Sequence, residues 1–229
     1  MGISTLGKVT LGLSTGATAT AGAVYFGTDL FKEEISKRTI SSLLREKNPE
    51  KRLIIAAPPS DKAWKDAWAN YRNENKDSNP WGIKTWSKIT QDVQSGDNAP
   101  DDFVSKCATQ TILEVPNEKD SLYVEVLKYC TRNTVVSDLI AENTSKKLLN
   151  GTGDQDSGGW AAAWEVYRTQ NKASSKTKDT WEFSDWDSKK DKTELPTDYK
   201  TKCTSQANVP AFTLDNKNYK NVLAWCTKD

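Results

Sequence analysis

The chain contains no histidine in its 229 residues. That absence removes the side chain that titrates nearest neutrality, the commonest zinc ligand, and every Ser-His-Asp or Cys-His nucleophile arrangement. An excess of one charge is missing too, since 32 Lys and Arg stand against 31 Asp and Glu, a net of +1. A nucleic-acid binder needs a basic face to neutralise phosphates, so nucleic acid is not an expected partner. Apolar residues are scarce at 36%, while charged ones reach 28%. Nine tryptophans nevertheless argue against a disordered chain, which would be poor in aromatics. The expectation is a modest, aromatic-rich core.

Long uncharged runs are almost absent. The one exception is "VTLGLSTGATATAGAVYFG" at 9–27, between Lys8 and Asp29. Nineteen residues at helical rise just cross a hydrocarbon core. Three readings compete. One is a signal anchor with Lys8 on the inner side. Another is a cleaved signal peptide with a small-residue site at Ala17–Ala19 or Ala21–Ala23. The third is a leader on a protein that stays in the cytosol. Gly12 and Gly16 have the spacing of a membrane-helix pairing motif, but glycine is common in this stretch.

What the chain does have is an internal repeat. "AWKDAWANYRNENK" (63–76) and "GWAAAWEVYRTQNK" (159–172) share seven identities at an offset of 96: Trp64/Trp160, Ala67/Ala163, Trp68/Trp164, Tyr71/Tyr167, Arg72/Arg168, Asn75/Asn171 and Lys76/Lys172. The offset holds for Phe103, Lys106 and Cys107 against Tyr199, Lys202 and Cys203, and again for Tyr123, Val126, Leu127, Cys130 and Thr131 against Tyr219, Val222, Leu223, Cys226 and Thr227. Upstream, 39–54 resembles 134–149 with the offset slipping by about one. A W-x4-W pair recurs at an offset of 100, as Trp81/Trp86 and Trp181/Trp186. The expected organisation is a leader and linker over 1–36 and two homologous units over 37–131 and 133–229. Trp64, Ala67, Trp68, Tyr71 and Asn75 fall on one helical face, started by Ser60 or Asp61. Other helices are expected from Asp101 and from Thr197, and around Tyr123–Cys130 and Tyr219–Cys226. The fold class is therefore all-α, two tandem small helical domains of about four helices each.

Each unit holds two cysteines with 22 residues between them. Four cysteines allow three connectivities, and the repeat symmetry favours Cys107–Cys130 and Cys203–Cys226. Such bridges imply an oxidising compartment, in agreement with the leader. Free buried thiols in a reducing compartment are the alternative. Zinc is a poor fit, with no C-x-x-C and no histidine.

Chemistry is sparse. "DQDSGGWAAAWE" (154–165) places Asp154, Asp156, Gly159 and Glu165 at calcium-loop positions, but Gly158 offers no side-chain ligand and the stretch runs into the tryptophan helix. A capped helix start explains it better. Trp64, Trp68, Trp160 and Trp164 read as packing residues. Trp81, Trp86, Trp181 and Trp186 have polar neighbours and stand as the candidate ligand-binding set. No acidic pair recurs beside the aromatics, so no catalytic residue and no cofactor is expected. Asn143 and Asn150 open N-x-S/T sequons.

Taken together, Trp64, Trp68, Tyr71, Arg72, Cys107, Tyr123, Val126, Tyr129, Cys130 and Thr131, with their second-copy counterparts, resemble the large paralogous families of hypothetical proteins in haemotropic mycoplasmas. The small-residue N-terminal segment is similar as well. Members of those families usually carry one such unit, whereas this chain carries two. The resemblance implies a non-enzymatic, membrane-anchored or exported surface protein, held to the membrane by its N-terminal segment. Antigenic variation or contact with a host surface protein or glycan would be its role. An adhesin using the Trp-rich loops is the alternative it leaves.

Overall fold

In the computed structural model, residues 37–153, 155–172 and 178–229 are described. The candidate membrane or signal segment lies outside them. Among the described residues no helix is long and apolar enough to cross a membrane.

The first copy runs β1 (Arg38–Thr39), α1 (Ile40–Lys47), β2 (Lys51–Leu53), α2 (Lys62–Glu74), α3 (Asp101–Thr111), β3 (Glu114–Val115) and α4 (Ser121–Tyr129). After β4 (Thr131–Asn133), the second copy follows the same course, without strands matching β1 and β3 and with one added short helix: α5 (Val136–Asn143), β5 (Lys147–Leu148), α6 (Ser157–Lys172), the short α7 (Trp186–Lys189), α8 (Tyr199–Ala207), α9 (Lys217–Trp225) and β6 (Thr227–Lys228). The fold is mostly helical, as the periodicities predict. Asp61 caps α2 by accepting from the Ala63 N–H, and Arg72 sits in its last turn, where a cation suits the carbonyl end. Asp120 and Asn216 cap α4 and α9 in the same way.

The all-α expectation missed three short antiparallel ladders, β1–β3, β2–β4 and β5–β6. Strands of two or three residues are too short for an alternating pattern to show. The ladders obey the repeat. Leu53 faces Thr131 as Leu148 faces Thr227, and the Thr39–Glu114 pairing returns as an isolated Val135–Pro210 bridge. They also locate the slip in the repeat. In α1 the buried residues are Ile40, Leu43 and Leu44, and in α5 they are Val136, Leu139 and Ile140, an offset of 96. At the ladders, Ile54 donates to the Cys130 carbonyl as Leu149 does to Cys226, an offset of 95 for the donors. One residue is therefore lost between helix and strand. The i, i+3, i+4 burial of each helix sets its register, not the run of identical letters.

Contacts group Ser36–Asp229 as one compact unit. Inside it are two separate hydrophobic clusters. One is built from Ile40 to Cys130 and the other from Val136 to Cys226, so each copy keeps its own core. The aromatic face of α2 or α6 is the centre of each. Trp68 stacks on Tyr71 at 5.7 Å and Trp164 on Tyr167 at 5.5 Å, with Phe103 or Tyr199 packed against both rings. Aromatic pairs in these offset and edge geometries add to the burial of area alone.

Candidate functional site

The four tryptophans left open for a ligand divide in the structure. Trp81, Trp181 and Trp186 are core members with relative exposures of 8%, 7% and 9%. Their rings are covered by the protein's own aromatics: Trp81 packs on Tyr71 and Phe103, Trp181 on Tyr167 and Trp225, and Trp186 edges onto Trp164. A ring packed this way has no free face to stack on a sugar, which corrects the reading drawn from their polar neighbours. Only Trp86 is partly exposed, and it too leans on the first core.

The loop that carries the W-x4-W pair is anchored to the central tyrosine of each copy. Tyr71 Oη donates to Asn79 Oδ1 at 3.0 Å and accepts from the Trp81 N–H at 3.0 Å. In the second copy Tyr167 Oη donates to Asp179 and accepts from the Trp181 N–H at 2.9 Å. Each loop is thus hooked onto its tyrosine helix. Burial, chiefly, pushes both phenols above their usual range, with the Asp179 carboxylate adding to the effect at Tyr167. They work as neutral hydrogen-bonding groups, not as acids near neutrality. Sequence reasoning missed this Tyr–Asx–Trp hook. Its signal was the recurrence itself, shared with residues known to pack.

All four cysteines fall where the repeat symmetry put them. Cys107 on α3 is bonded to Cys130 at the end of α4, with Cα atoms 5.5 Å apart, and Cys203 on α8 to Cys226 at the end of α9, 5.6 Å apart. All four are buried. Each bridge closes a 23-residue separation and ties the two helices that flank the aromatic centre.

Among the described residues no group of three or more His, Cys, Asp or Glu is placed to hold a metal ion. Asp154 of the calcium-loop pattern lies outside them. Asp156 uses its carboxylate at home, accepting from the Asn150 N–H at 2.7 Å and from Lys228 Nζ at 2.5 Å. The Asn150 sequon precedes α6 on an exposed turn.

A cluster of paired charges lies where the copies meet. Arg52 of the first copy grips Glu142 of α5 with two hydrogen bonds of 2.9 and 2.8 Å, and Arg132 grips Asp138 with two of 2.6 and 2.8 Å. The buried Thr134 stands between the copies. Its N–H donates to the Glu50 carbonyl, its carbonyl accepts from Ala211, and its hydroxyl donates to Pro49 while accepting from Arg52. Burial works to raise the Asp138 carboxyl, but the Arg132 hydrogen bonds, the Val135 N–H and the charges of Arg132 and Arg52 outweigh it and hold the group below its ordinary value. Paired forks of this kind give orientation as well as energy.

Comparison with protein-family models, with curated proteins and with solved structures finds no match at all. The reading of function therefore stands on the chain's own chemistry.

Proposed function

We propose that this is a non-enzymatic surface protein, exported or anchored through its N-terminal segment, that displays two tandem homologous helical domains outside the cell. The observation that carries the proposal is the pair of disulfides, one per copy at matched positions. Reducing compartments do not maintain such bonds in ordinary proteins, and small domains with modest cores are where export uses them. Each domain is the 37–131 or 133–229 copy, folded around its own tryptophan–tyrosine helix. The charged, varied loops would be the face offered to a host surface, consistent with a role in host contact or antigenic variation.

The test is proteolytic shaving of intact cells that make the protein. The described domains should be cleaved or labelled by impermeant reagents before lysis. Complete protection until the membrane is broken would refute surface display.

A further inference from the structure

The chain has six arginines. Two, Arg72 and Arg168, are the repeated helix positions. The other four, Arg38, Arg45, Arg52 and Arg132, all line one groove of about 810 Å³ at the junction of the copies. Arginine differs from lysine in its rigid fork, which suits carboxylates and other planar anions. The duplication supplies an internal control for whether the fold needs these side chains. The structurally equivalent positions in the second copy hold Thr134, Ala141, Lys147 and Lys228, none of them arginine, and that copy still builds the matching long helices and, in β5–β6, the counterpart of β2–β4, with β1–β3 reduced to the Val135–Pro210 bridge.

Three of the four guanidiniums are engaged. Arg38 pairs with Glu46 at 2.7 Å, while Arg52 and Arg132 hold Glu142 and Asp138. Arg45, exposed on α1, has no acidic partner among the described residues. The groove therefore carries one surplus positive charge. Its wall also includes Ile55, which at 73% exposure is the most exposed large apolar side chain among the described residues. One open fork and one exposed apolar side chain lining the same groove match a ligand with one carboxylate and one apolar group. A polysulfated chain would need several unneutralised cations, and this groove offers one.

We propose that the groove binds an acidic peptide segment of a partner protein, seating a carboxylate on Arg45 and a neighbouring apolar side chain against Ile55. This proposal does not depend on where the protein resides.

The probe is N-acetyl-leucine, which carries one carboxylate and one apolar side chain, titrated into the full chain with 15N-labelled arginine. The Arg45 Nε–Hε signal should shift and saturate with a Kd on the order of millimolar, while Arg72 and Arg168 stay still. N-acetyl-leucinamide, which lacks the carboxylate, should bind at least roughly tenfold more weakly, and so should N-acetyl-leucine to Arg45→Gln. Ile55→Ser should weaken binding with the melting temperature unchanged. The proposal is overturned by a linear, unsaturated response, by equal affinity for the amide, or by undiminished binding to Arg45→Gln. It is also overturned if sucrose octasulfate saturates the same signals at lower concentration, which would make the groove a polyanion site.

Discussion

Replacing Trp164 by alanine tests whether each copy is held by its own core. Trp164 is fully buried, stacks on Tyr167, meets Phe183, Trp186 and Tyr199 edge-on, and donates from Nε1 to the Lys192 carbonyl at 3.0 Å. Truncating a buried tryptophan removes its transfer energy and leaves a cavity, together costing about 3–5 kcal/mol. The Lys192 carbonyl also loses its donor, so the upper half of that range applies. A domain of this size has only about 5–14 kcal/mol in total, so the second copy should lose a large share of its stability. Hydrogen exchange followed peptide by peptide reads this directly. Protection should collapse across α6, α8 and α9 and hold across α2, α3 and α4. Trp68→Ala should give the mirror image. Equal loss of protection in both copies from either variant would refute the account of two separate cores.

Replacing Cys107 and Cys130 together by alanine should cost about 3 kcal/mol by loop-closure entropy, with exchange rising in the first copy alone. Asp138 makes a pH-dependent contribution of known sign. Its folded carboxyl is held below the ordinary value, so its stabilisation is complete above about pH 4 and is lost as pH falls through the folded value. Asp138→Asn should therefore melt lower than the parent at pH 7, and the gap should close toward pH 2; a gap that widens on acidification would reverse the assignment. At the loop hook, Gly82 has φ +65° and its counterpart Glu182 has φ +54°, in the left-handed region that costs a side-chain-bearing residue about 1 kcal/mol or more. Glu182→Gly should raise the melting temperature by a few degrees, and a lowered one would show that no strain is held there.

The helices and cysteine pairs were legible because their signals are redundant. Trp64 and Trp160, or Cys107 and Cys203, each report the same position twice, and 3.6-residue periodicity turns that report into a face. The strands were not legible, because two residues carry no period and Leu53 or Leu148 pairs only with a partner almost eighty residues away. Trp81 and Trp181 were misread because their neighbours Gly82, Lys84, Glu182 and Asp185 are polar. What buries them is packing on Tyr71 or Tyr167, with the loop held by a backbone hydrogen bond to that tyrosine ten or fourteen residues earlier, which local composition does not encode. The arginine groove was invisible for a different reason. Arg132 lies eighty residues after Arg52, and the β2–β4 ladder, with α1 packed on β2, is what brings it together with Arg38, Arg45 and Arg52.

The measurement that bears most directly on the account is disulfide mapping by mass spectrometry on protein taken from the cells that make it, with free thiols blocked at lysis. Cys107–Cys130 and Cys203–Cys226 recovered as bridged pairs, with no blocked thiol, is the predicted result. Four blocked thiols would place the chain in a reducing compartment and contradict the export on which the surface reading rests.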